Sequence, residues 1–222
     1  MFKTLFNFSF PIVSTSTIEK FTFLFVKIGL YPQLVIKTSI RNGSLGDRQH
    51  TEDRIKDLLR EYEDRVCSVY LLHGTMEPEE ISALYKHPKI KAFIGLSHGE
   101  GFGLPLFEAA YNGLPVIAPD WSGHLDFLYK PTKLKKGKVK NKAMFSKISY
   151  TLGEIPEHAK WDGVQEKDAK WAFPEFGSIK MAMEEVYKDH GRFKKQAKQL
   201  QDWILEEFSE ETRMLLNCLK NI

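Results

Sequence analysis

Cysteine is scarce in this chain: Cys67 and Cys218 are its two cysteines in 222 residues, and they lie far apart. That scarcity argues against a disulfide framework and a cysteine zinc site, and it fits a reducing compartment. No apolar stretch approaches the ~20 residues that a membrane span needs. No group of histidines, cysteines and carboxylates has metal-ligand spacing, so neither metal nor other cofactor is expected. Acid is missing from one tract, "KPTKLKKGKVKNK" (Lys130–Lys142), which holds seven lysines. Elsewhere the signs balance: 32 basic against 29 acidic residues leave +3, which does not point to nucleic acid. A cytoplasmic protein is the expectation.

What is present suits one well-filled core, so residues 1–222 are read as a single domain. The N-terminus "MFKTLFNFSFPIVSTST" has the outline of a signal peptide, but Asn7, Ser9 and Pro11 interrupt its apolar run. A buried strand over Lys3–Phe10 is the better reading. Further strands are expected at Gln33–Thr38, Ser68–Leu72, Ala92–Leu96 and Pro115–Ala118. "LVIK", "VYLL", "AFIGL" and "PVIA" are apolar on both faces, as strands covered from two sides tend to be. Helices are expected at Asp53–Asp64, Pro78–Lys86 and Leu104–Asn112, the last stopping at Gly113.

Thr17–Ile28 is ambiguous. Ile18, Phe21, Phe25 and Ile28 fit one helix face, yet "FTFLFV" has strand composition. Its place between two strands favours helix. The lysine tract reads as a solvated loop, with a phosphate-facing patch or weak peripheral membrane contact as the alternative. The stretch from Ile155 to Ser178 reads as irregular but packed, and residues 178–222 as helices, the last opened by Ser209. Alternating strands and helices predict an α/β fold: a parallel sheet of about five to six strands with right-handed crossovers.

The densest signal is "SHGEGFGLPLFEAAYNGLPVIAP". Gly99, Gly101 and Gly103 follow a strand at every second position, and Leu104-Pro105 then opens a helix. Unpaired amides at such a start carry partial positive charge, and a diphosphate is a good occupant. Glu100 and Glu108 would repel a phosphate but accept hydrogen bonds from hydroxyls. A nucleoside diphosphate sugar, with hydroxyls on both sides of two phosphates, has the matching layout. A tight turn with two surface glutamates is the plainer reading of "GEGFG" alone.

The longer stretch "EGFGLPLFEAAYNGLPVIAP" resembles the Glu-x7-Glu signature of group 1 retaining glycosyltransferases of the GT-B fold. "WSGHLDFL" and "YLLHGTMEPEEISALYKHPKIKAFIGL" resemble a viral and bacterial subgroup of them. The resemblance implies half of a GT-B fold, a Rossmann-like donor domain that needs no metal. It implies that Glu100 contacts the donor sugar near the reacting carbon and that Glu108 holds the ribose. Backbone groups of Gly101, Phe102, Gly103 and Leu104 would lie along the diphosphate, and His73-Gly74 along the nucleotide. Lys37 would reach a phosphate or remain a strand-end surface lysine. Trp121, Ser122, Gly123 and His124 are candidates to close the cleft, and His98 is expected to be solvated.

Two departures stand against the family pattern. The first loop, "SFPIVSTSTIEK", lacks the usual arginine, with Lys20 its one cation. The acceptor-binding half is not recognisable, so a separate acceptor domain or chain is an expected partner beside the nucleotide sugar. The enzymatic reading therefore has alternatives: a nucleotide-sugar-binding module without turnover, a subunit of a split glycosyltransferase, or a GT-B relative such as an epimerase.

Overall fold

The computed structural model describes residues 22–28, 31–38, 44–62, 67–133, 137–160, 163, 166 and 168–208. The expected strand Lys3–Phe10, the loop with Lys20 and the last helix from Ser209 lie outside them. Strand β1 spans Thr22–Ile28, which corrects the described part of the helix expected over Thr17–Ile28; residues 17–21 lie outside the described residues. Pairing decides the ambiguity: β1 runs antiparallel to β2 (Tyr31–Thr38) over seven residue pairs and antiparallel to β4 (Ile90–Ile94) on its other side. A segment hydrogen-bonded on both edges is held as strand whatever its helical periodicity.

The main sheet also contains β3 (Val69–His73), β5 (Val116–Pro119) and β8 (Ser146–Ile148). Its six strands run in the order β3-β2-β1-β4-β5-β8. β2 and β3 are parallel, as are β4, β5 and β8, so all strands but β1 point the same way. The expected all-parallel sheet is thus corrected by one central antiparallel strand. Strand order reverses between β2 and β4. Ligands of doubly wound sheets sit at that kind of reversal, beyond the carboxyl ends of the strands.

Helix α1 covers Leu45–Leu59, eight residues ahead of the expected start at Asp53. The Ser44 hydroxyl accepts from the Asp47 amide and caps it. α2 (Pro78–Lys86) has Pro78 in its first turn and a capping box between Glu77 and Glu80. α3 (Leu104–Tyr111) stops at Gly113, which takes a left-handed φ of 72°. Leu114 N–H then closes onto the Ala109 carbonyl at 3.0 Å, a Schellman-type stop.

The lysine tract is not a loop. After the short helix α4 (Leu125–Leu128), β6 (Tyr129–Lys133) and β7 (Val139–Ala143) form an antiparallel ribbon. The stretch expected to be irregular likewise holds strand β10 (Lys170–Pro174), paired with β9 (Tyr150–Glu154). α5 (Phe176–Lys188) and α6 (His190–Glu207) follow.

Alternate strand residues feed two cores. Phe93, Val116 and Ala118 face α2, α3 and α6, while Ala92, Ile94 and Ile117 face α1 and α5. α4 sits in the first core, where Phe127 is fully buried with its ring 5.1 Å from those of Phe102 and Phe107. Replacing it leaves a cavity beneath the glycine turn. Phe127→Ala is expected to lower stability by about 3–5 kcal/mol in denaturant unfolding, and a loss below about 1 kcal/mol would contradict this packing.

Candidate functional site

The glycine turn lies between the end of β4 and the start of α3, on the carboxyl side of the parallel strands. Gly103 is the residue before the helix, with φ of 86°, a left-handed conformation that glycine adopts without strain. Space is tight there as well, because a Cβ would lie 3.0 Å from that of His124. The first amides of α3 have no intrahelical partner, so the helix start offers donors and partial positive charge. Phe102 turns inward onto Phe107 and Phe127, which anchors the turn from below. Gly99 and Gly101 are exposed.

A second loop holds the first one in place. The Ser122 hydroxyl donates to the Glu100 carbonyl at 2.7 Å and accepts from the Glu100 amide at 2.8 Å. Gly123 N–H donates to the same carbonyl at 3.0 Å. Ser122 has φ of 82°, the one left-handed residue other than glycine among those described. That strain is held by its paired bonds to Glu100. Gly123 lies so close that a Cβ would collide with the Gly101 carbonyl. His124 is buried, and its Nε2–H donates to the Pro119 carbonyl at 2.8 Å. Burial holds its pKa below the usual range, against the opposing pull of that carbonyl, Glu100 and Asp120.

Glu108 projects from the second turn of α3. Burial raises its pKa, and the Lys37 ammonium pulls it down in part. Glu108 in turn adds to the burial that raises the Tyr85 pKa. Lys37, Glu108 and Tyr85 therefore share one electrostatic environment, although Lys37 comes from β2 and Glu108 from α3. His73, at the end of β3, is largely buried against Asp47, its Nε2 3.2 Å from Oδ2. Gly74 follows with φ of 102°.

His98 is not solvated, contrary to expectation. It is 4% exposed and stacks on Trp171 at 4.8 Å with planes 4° apart. Its Nδ1–H donates to the Ala172 carbonyl at 2.8 Å, and Ala172 N–H donates back to the His98 carbonyl at 3.1 Å. The β9–β10 hairpin is thereby strapped to the glycine turn. Trp121 packs against Tyr150 with ring centroids 5.2 Å apart. Among the described residues, the buried polar atoms Thr38 Oγ1, Ser97 Oγ, His98 Nε2 and His124 Nδ1 lack a hydrogen-bond partner. Thr38 is the last residue of β2, Ser97 and His98 follow β4, and His124 follows β5.

Residues 31–135 match the family model of glycosyl transferases group 1. That is just under half of the 222 residues. The matched group 1 region contains Lys37, His73, Gly74, Glu100, Gly101, Phe102, Gly103, Leu104 and Glu108, with the Ser122–His124 clamp. No curated protein matches the chain. Among solved structures, sucrose-phosphate synthase from Thermosynechococcus elongatus is similar at 18% identity and a TM-score of 0.46. That match covers 84% of this chain and spans 38% of the synthase chain.

Sequence reasoning did not find Asp47 or His98 as structural partners of this region. Ser44 three residues before Asp47 was a readable cap signal. The strap between His98 and Ala172, 74 residues apart, has no local signature.

The clamp makes a direct prediction. Gly123→Ala is expected to push the 122–124 loop off Glu100 and cost roughly 2–4 kcal/mol. Thermal and denaturant unfolding measure it; an unchanged midpoint would contradict the close approach.

Proposed function

We propose that this chain is the donor-binding half of a retaining glycosyltransferase of the GT-B type. It binds a nucleoside diphosphate sugar beyond the carboxyl ends of β2, β4 and β5. The observation that carries the reading is that Glu100 precedes and Glu108 follows, in the chain, the Gly101–Leu104 helix start, which lies at the carboxyl end of β4. Amide donors favour the diphosphate between them, and the two carboxylates accept from hydroxyls on its flanks. The group 1 match over the same residues supports the reading.

In this account Gly101, Phe102, Gly103 and Leu104 offer backbone groups to the diphosphate. Glu108 accepts from the ribose hydroxyls, and Lys37 beside it supplies the compensating positive charge. Glu100 orients the sugar so that an acceptor hydroxyl attacks the anomeric carbon on the face the diphosphate leaves. Stabilising that departing charge is the chief electrostatic task, and the α3 start is its source here. Gly74 gives the nucleotide close backbone approach. His73, held by Asp47, forms the wall beside it.

Isothermal titration against a panel of nucleoside diphosphate sugars tests the reading. One donor is expected to bind, and binding by none would overturn it. Glu100→Ala is expected to lower affinity for the full donor while leaving that for the bare nucleoside diphosphate nearly unchanged. Sugar release or transfer, followed in the same samples, distinguishes turnover from binding alone.

Glu108 adds a pH test with a definite sign. Its folded pKa is raised, so its ionisation opposes folding as pH rises through that value. Glu108→Gln removes this cost. The variant is expected to melt higher than the parent above the ordinary carboxylate range, with the gain vanishing in acid. It should also bind nucleotide at least ~10-fold more weakly, the loss of about 1.4 kcal/mol from a charge-assisted hydrogen bond. Equal affinity in the variant would remove Glu108 from the ribose site.

A further inference from the structure

We propose that the β6–β7 ribbon is an electrostatic docking surface for an anionic lipid bilayer. Register is the starting point. Lys130 lies opposite Lys142, Thr132 opposite Lys140, and Pro131 opposite Asn141. Side chains alternate across a ribbon, so Lys130, Thr132, Lys140 and Lys142 share one face. Pro131 and Asn141 are on the other face, where they line a groove of about 600 Å³ with Leu125, Asp126, Tyr129 and Trp203. The groove lies between the ribbon and α6. On the lysine face Lys140 and Lys142 are exposed, and Lys130 and Thr132 are partly buried.

That face is uncompensated. Directly opposed like charges destabilise a strand pair, and Lys130 and Lys142 are such a pair. Residues 129–143 contain no acid. Lys56, Lys147, Lys160, Lys188 and Lys198 each pair with a carboxylate. Among the described residues, Lys130, Lys140 and Lys142 of this face take part in no such ion pair. An external anionic surface would relieve the repulsion that the ribbon's own sequence creates.

Chemistry selects the kind of surface. The lysine face has no arginine to grip a phosphate or base through two parallel bonds, and no aromatic ring to stack on a base. It offers point charges spread along an extended ribbon. Those suit a plane of lipid phosphates, to which each lysine near the surface contributes about 1 kcal/mol. Binding of this kind is reversible and screened by salt.

Co-sedimentation of the full chain with vesicles tests the proposal. The probes are phosphatidylcholine alone and phosphatidylcholine with about 30 mol % phosphatidylserine. Binding is expected to the anionic vesicles only, and to fall steeply with added salt. The triple variant K130E/K140E/K142E is expected to bind roughly 100-fold more weakly or worse. Its circular dichroism and nucleoside diphosphate affinity report whether the fold is kept. A control, K188E/K198E, reverses two lysines already paired with carboxylates and should sediment like the parent. The salt series on the parent chain stands even if the triple variant fails to fold. Failure of the parent chain to sediment with anionic vesicles would overturn the proposal. So would salt-independent sedimentation, equal loss in the control, or displacement from vesicles by stoichiometric single-stranded RNA.

Discussion

The paired hydrogen bonds between Ser122 and Glu100 are the constraint on which the rest of the site depends. One hydroxyl satisfies both the amide and the carbonyl of the residue at the centre of the glycine turn. The loop after β5 thereby sets the position of the loop after β4. Neither loop could take this form with larger residues, since Gly103 meets His124 and Gly123 meets Gly101. Beneath them, Phe102 on Phe107 and Phe127 ties the turn to the core. From outside, His98 ties it to the β9–β10 hairpin. A turn that is exposed at Gly99 and Gly101 is thus fixed on three sides.

Around this fixed turn the site also carries groups that burial disfavours. Glu108 is held where burial works against its charge. Among the described residues, four buried polar atoms, in the last residue of β2 and in the loops after β4 and β5, lack hydrogen-bond partners. A fold optimised for stability alone would replace such groups with apolar ones. Lys37 offsets part of the cost by sitting near Glu108, so the site combines a cation, a carboxylate and a helix start. On the proposed reading, a ligand that carries both phosphates and hydroxyls would answer all three.

Much of this was legible in the sequence because it is encoded locally. The apolar runs of β4 and β5, the proline start of α2 and the glycine stop of α3 each reveal an element within a few residues. The spacing of Glu100 and Glu108 about a glycine turn is local in the same sense. What was not legible depends on partners distant in sequence. "TFLFV" becomes a strand because β2 and β4 bond to it on either side. His98 is buried because Trp171 and Ala172 arrive from a hairpin with no signal at His98 itself. The lysine tract becomes a ribbon although its charges oppose pairing, so composition alone misreads it. The early start of α1 was readable from Ser44 and Asp47, but its apolar periodicity begins later, at Ile55.

The central claim is that the glycine turn and α3 start receive a diphosphate between two carboxylates. Amide chemical shifts of the chain, followed while a nucleoside diphosphate is added, test it most directly. The account predicts the largest saturable shifts at Gly101, Phe102, Gly103 and Leu104, with smaller ones near Lys37 and Glu108. Saturable shifts centred on any other part of the surface, with these four amides unmoved, would contradict it.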